Sequence, residues 1–169
     1  MLGSLFLNIT KLSSLEINLS SNNIGIQEVS ILTSMIGKCS SLKTLELILD
    51  RNKCGDEGVS KISSNLVNSI NFEKLKLSLH HNKIGQEGIA DLTSGMNKCS
   101  SLIMLTLQID FQAIGQQGIS ILCSHLVQLK KLTKLVLKEN YKNTPACLNM
   151  KSKLLKLCTR LVNIEFKRS

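Results

Sequence analysis

Asp50, His80 and Asp110 stand thirty residues apart in the chain. Of all its titratable residues, these offer most to chemistry. On neighbouring strands His80 would lie between two carboxylates, each about 4.8 Å away. Two carboxylates favour the imidazolium, and two Asp with one His also form a set of metal ligands. No further ligand joins them, and no nucleophile aligns beside His80. The sequence therefore predicts no metal, no cofactor and no catalytic residue. His81 follows His80 in an alternating strand and is expected to point away from it, so the two do not form a chelating pair. His125 falls in a helical stretch and is expected to be exposed. Paired glycines (Gly55/Gly58, Gly85/Gly88, Gly115/Gly118) suit a phosphate-binding loop, because they let backbone amides approach an anion. Recurrence in every repeat points instead to a tight turn, since a phosphate site is needed only once.

The elements that position these residues follow from the same thirty-residue step. Leu12, Leu42, Phe72, Leu102 and Leu132 keep it, as do Gly25, Gly55, Gly85 and Gly115. Asn22, Asn52, Asn82 and Gln112 form a third column. Such self-similarity marks a solenoid whose units pack only on their neighbours. Within each unit an alternation comes first: Leu15/Ile17/Leu19, Leu45/Leu47/Leu49, Leu75/Leu77/Leu79 and Leu105/Leu107/Ile109. Period two with one apolar face reads as a strand. A polar turn and the glycines follow. Then apolar residues recur at helical spacing, as in Ile89, Leu92, Met96, Cys99 and in Ile119, Leu122, Leu126, Leu129. Strand, turn, helix and return in thirty residues make successive strands parallel.

At these residues the chain resembles the leucine-rich repeat family, in its ribonuclease-inhibitor-like branch. The pattern L-x-x-L-x-L-x-x-N followed by I-G-x-x-G-x-x-x-L is met, with the strand two residues longer. The resemblance covers Leu12 to Leu137, and Pro145 to Phe166 as a variant last unit. It implies an α/β horseshoe with parallel strands on the concave face and helices on the convex face. It also implies that the asparagine column bonds backbone in the turn, with Gln112 one methylene too long. Most members of the family bind proteins through the concave face.

The chain is expected to be one domain: residues 1–11 a partial repeat, 12–131 four repeats, and 132–169 a variant basic repeat or cap. With the leucines inward, the residues between them face the concave side in three columns. These are Glu16, Glu46, Lys76, Thr106, Val136; then Asn18, Ile48, Ser78, Gln108, Lys138; then Ser20, Asp50, His80, Asp110. Partner binding is assigned to Glu16, Asn18, Glu46, Ile48, Asp50, Lys76, Ser78, His80, Gln108, Asp110 and Lys138. Ile48 is the large aliphatic residue among polar neighbours and hence the anchor.

Charge is segregated. Residues 1–127 carry 10 basic and 10 acidic residues, whereas residues 128–169 carry 11 and 2. Thr144-Pro145 reads as a helix start, after which Lys151, Lys153, Lys156 and Arg160 fall on faces away from the core stripe. This basic end is expected either to cap the repeats or to dock an acidic partner. An aromatic content of 3% weighs against nucleic acid. No stretch is long enough for a membrane span, and Met1–Ile9 reads as the tail of a helix rather than a leader. Six cysteines without CxxC or zinc spacing read as mostly buried and reduced, which favours a cytoplasmic setting. The function expected is that of a non-enzymatic protein-interaction module, scaffold or adaptor, alone or within a larger assembly. The alternatives are a regulator of an enzyme (an inhibitor or GTPase activator) and a polyanion binder working through the basic end.

Overall fold

The computed structural model describes residues 11–66, 71–139, 152 and 163–168. Six parallel strands form one sheet in chain order. They are β1 (Ser14–Asn18), β2 (Thr44–Ile48), β3 (Lys74–Ser78), β4 (Met104–Gln108), β5 (Lys134–Glu139) and β6 (Asn163–Arg168). Between the first five run α1 (Ile26–Gly37), α2 (Gly55–Leu66), α3 (Gln86–Met96) and α4 (Phe111–Leu126). Neighbouring strands pair in register at the repeat step, so that Leu15, Leu45, Leu75, Leu105 and Leu135 stand side by side. This is a leucine-rich-repeat-like α/β fold. The ladder extends one residue past each of the first three strands: the N–H groups of Leu19, Leu49 and Leu79 donate to the carbonyls of Ile48, Ser78 and Gln108, each at 2.8 Å. That bond is why the third leucine of each alternation stays inward.

The alternating leucines and the helical stripes meet in one core. Leu45, Leu47, Leu75, Leu77, Leu105 and Leu107 are buried, as are Ile89, Leu92, Met96, Cys99, Ile119, Leu122, Leu126 and Leu129. Each such side chain contributes about 1.5–3 kcal/mol when fully buried. Leu15 and Ile17, expected to be buried, are only half-buried. Their strand lies at the sheet edge, with a described neighbour on one flank alone.

The turns carry the asparagine column. Asn52 accepts from the N–H groups of Asn22 and Ile24 at 3.0 and 2.8 Å, and donates to the carbonyls of Leu19 and Leu49 at 2.9 Å each. Asn82 repeats this against Cys54 and Leu49. Glycine takes up a left-handed backbone at Gly55, with φ +59°, at no steric cost. At Gly88 the reason is space: a Cβ there would meet Asp56 Oδ1 at 2.4 Å.

The fourth turn is rebuilt. Residues 111–114 are already helical, and the chain breaks at Gly115 (φ +62°) before helix resumes. Gln112, expected in the asparagine column, therefore sits in an extra helical turn. The sequence signalled this only by Gln112 standing where the other repeats have Asn. The tail of a helix expected at Met1–Ile9, and the helix start at Thr144-Pro145, lie outside the described residues. The last strand, β6, pairs with β5 in the register Leu135↔Ile164 and Leu137↔Phe166.

Candidate functional site

The sheet face opposite the helices carries the columns read from the sequence, and strand register lines them up. Glu16, Glu46, Lys76, Thr106 and Val136 are successive partners, as are Asn18, Ile48, Ser78, Gln108 and Lys138. The Glu46 carboxylate pairs with Lys76 Nζ on the next strand. Beside this pair, Ile48 is half-buried. Asn18 is exposed and its Oδ1 accepts from the Ser20 N–H and hydroxyl at 3.1 and 2.8 Å. Gln108 and Lys138 are half-buried. Lys151, Lys153, Lys156 and Arg160 lie outside the described residues.

Two of the expected contact residues are not open to a partner. Ser78 is 2% exposed and His80 5%. Asp50 draws both inward: its Oδ1 accepts the Ser78 hydroxyl at 2.7 Å and the His80 N–H at 2.8 Å. From the other flank Asp110 Oδ2 accepts the His81 N–H at 2.9 Å, while its Oδ1 meets His80 Nδ1. These carboxylates clasp the turn of the repeat between them from its two sides. The two do not produce the imidazolium expected. Burial lowers the pKa of His80 first; Asp110 and, less, Asp50 oppose this, while His81 and Arg51 add to the lowering.

His81 also departs from expectation. Its φ is +57°, so the strand alternation ends before it. The imidazole swings back beside that of His80, with ring centroids 4.0 Å apart. Ligand atoms of His80, His81 and Asp110 then lie within 4.8 Å of one another. Two imidazoles and a carboxylate suit a transition-metal ion. Here both Asp110 oxygens are already engaged, and the Arg51 charge reaches His80. His125, expected to be exposed, is half-buried between helices. Its Nδ1 lies 2.6 Å from Thr93 Oγ1, whose own hydroxyl donates to the Ile89 carbonyl at 2.7 Å.

A second feature went unmarked in the sequence. An open cleft of about 680 Å³ runs along the turns and is lined by Asn23, Arg51, Asn52, Lys53, Gly55, His81, Asn82 and Lys83. Three of these side chains are cationic, a fourth is imidazole, and none is acidic. The signal was present as two columns one repeat apart, Arg51/His81 and Lys53/Lys83. It was hidden because the net charge of residues 1–127 is zero.

Cys39, Cys54, Cys99 and Cys123 are buried free thiols. Burial raises the first three, Cys54 and Cys99 to about 11. Among the described residues no helix is long and apolar enough to cross a membrane.

No family model matches the chain, and no curated protein matches it. Among solved structures it is similar to "Leiomodin-1 Actin-Binding Site 2 (ABS2)". The TM-score is 0.65 at 16% identity, over 92% of this chain and 86% of that one. At that identity the likeness speaks for the fold alone.

Proposed function

We propose that the chain is a non-enzymatic protein-interaction module, a scaffold or adaptor of the ribonuclease-inhibitor-like branch, whose open sheet face is the concave side of a horseshoe. The observation that carries this is the ladder of that face. Leu or Ile fills the inward positions of β1 to β5, while the outward ones vary along the sheet: Glu16, Glu46, Lys76, Thr106 across one row and Asn18, Ile48, Gln108, Lys138 across another. A surface whose side chains change along its rows suits one shaped partner rather than a small substrate. Ile48 supplies an apolar anchor beside the Glu46–Lys76 pair. The likeness to leiomodin-1 actin-binding site 2 supports a protein partner, since a similar fold serves actin binding there.

The test is a pull-down with the full chain, followed by affinity measurement on the purified pair. Ile48→Asp is expected to weaken binding by at least about tenfold through loss of the anchor and introduction of an unpaired charge. Lys76→Thr, the residue β4 carries in that row, is expected to weaken it less. His80 is a poor probe because it is buried. Unchanged affinity in both variants, with the fold intact, would move the binding surface elsewhere. A change in a captured enzyme's rate on binding would instead make the chain its regulator.

A further inference from the structure

We propose that the turn-edge cleft walled by Arg51, Lys53, His81 and Lys83 binds an acidic segment of a protein partner. The proposal rests on the interaction reading only in taking the ligand to be a protein; the surface is a different one.

Charge comes first. The four side chains are exposed, and the cleft is lined without a carboxylate. Acids close by are turned to other work: Asp56 Oδ1 accepts the Gly85 N–H at 2.7 Å, Asp50 Oδ1 holds Ser78 and His80, and Asp110 is engaged by the His81 N–H and His80 Nδ1. The N-terminal end of α2, at Gly55, also opens here and adds its partial positive charge.

The backbone supplies a second, independent observation. Arg51, His81 and Lys83 all have left-handed φ, +55°, +57° and +56°. Asn tolerates that region better than bulkier residues do, and the first repeat does place Ser21 and Asn23 at the equivalent positions, with φ +61° and +55°. The chain thus accepts Arg, His and Lys where smaller residues fit the same turn. Strain kept at an exposed position points to a use for the side chains.

The kind of anion follows from the hydrogen bonds. A compact phosphate site needs free backbone amides. Those of Arg51, Lys53 and Gly55 already donate to the carbonyls of His80, Ile24 and Asn82, and that of Cys54 to Asn82 Oδ1. What remains is a spread of flexible cations across adjacent repeats, about 4.8 Å per strand. Such spacing fits several carboxylates along a peptide rather than one phosphate. No aromatic stacking platform lines the cleft, which disfavours single-stranded nucleic acid.

The experiment uses a fluorescein-labelled peptide of alternating Glu and Gly, followed by anisotropy with the full chain. The cleft variant is Arg51→Ser with Lys83→Asn, which installs residues the chain already uses at those turn positions. The control is Lys38→Ser with Lys98→Ser, which removes the same charge from two exposed residues outside both the cleft and the basic end. The cleft variant is expected to weaken binding by about tenfold, and the control by less than about threefold. Ile48→Asp is expected to leave this binding unchanged, so the cleft and the sheet face succeed or fail separately. Equal losses in cleft variant and control, equal binding of a Gln/Gly peptide, or loss on Ile48→Asp would each overturn the proposal.

Discussion

Asn82 Nδ2 donates to the Leu49 carbonyl at 2.8 Å, reaching back from its own turn to the strand end of the preceding repeat. Its Oδ1 meanwhile accepts the Cys54 N–H at 3.2 Å. One buried side chain therefore closes two polar groups of a neighbouring unit. Removing it leaves the buried Cys54 N–H without a partner, at about 1–3 kcal/mol, while the Leu49 carbonyl keeps the Asn52 amide at 2.9 Å. Asn82→Ala is expected to lower stability by about 1–3 kcal/mol in urea unfolding. Asn22 is exposed, and its side-chain amide donates to the Ser20 carbonyl two residues back. Asn22→Ala is expected to cost less than about 1 kcal/mol. Equal losses would show that the column does not join repeats.

The leucine rows predict a gradient from edge to centre. Leu77 is fully buried between two neighbouring strands, whereas Leu15 on the edge strand is half-buried. Leu77→Ala is expected to cost about 2–5 kcal/mol through lost transfer energy and a cavity. Leu15→Ala is expected to cost less than half of that, as read from the same denaturation midpoints. Identical costs would mean that β1 is covered as well as β3.

The contrast between these rows marks how far the sequence could be read. Core leucines recur because every repeat imposes the same inward environment, so their type and period disclosed the strands and their parallel order. The outward columns were legible as positions but not as exposures. Ser78 and His80 stood in an open column, yet Asp50 from the preceding repeat pulls both inward. Such a clasp depends on a contact thirty residues away and on a backbone reversal at His81, neither of which a period-two pattern carries. The polar contacts between helices were hidden likewise. Ser63 bonds the Asp91 carbonyl and His125 bonds Thr93, across neighbouring repeats.

His80 makes stability depend on pH in a definite direction. Its folded pKa is lowered from 6.5, with burial the main cause. The unfolded chain therefore takes the proton first as the solution is acidified. The contribution is present above pH 6.5 and is lost as the pH falls from there through the lowered folded value. His80→Gln is expected to flatten that part of the stability–pH curve. A wild-type curve that rises on acidification through the same window would mean that Asp110 and Asp50 outweigh burial.

Buried thiols should be inert. The thiolate is the reactive form, and burial holds Cys54 and Cys99 near a pKa of about 11 and raises Cys39 as well. At pH 8 these three are expected to react with iodoacetamide only as fast as the chain unfolds, followed by peptide mass mapping. Cys54 and Cys99 have raised folded pKa values, so their contribution to stability is full below the unfolded value of 9.0 and is lost as pH rises towards 11. Rapid labelling of Cys54 in the folded chain would contradict the burial seen here.

Gly95 tests how tightly successive helices approach. Glycine inside a helix is normally worth replacing, and in the last turn of α3 Ala would gain at most about 0.8–1 kcal/mol of helix propensity. In α3, however, a Cβ on Gly95 would lie 1.9 Å from Ser63 Oγ of α2. That hydroxyl is not free to swing away without loss, because it donates to the Asp91 carbonyl at 2.7 Å. Overpacking of this kind costs about 1–3 kcal/mol, and the broken hydrogen bond adds about 1 kcal/mol more. Gly95→Ala is therefore expected to destabilise by about 1–3 kcal/mol, against the sign of its propensity. Ser63→Ala removes the obstructing oxygen. The double variant is expected to be more stable than the sum of the two single losses predicts, though not fully restored, since the Ser63 Cβ would still stand at 3.1 Å. Additive losses in that cycle would show that α2 and α3 can slide apart, and that their spacing is not what keeps glycine at this position.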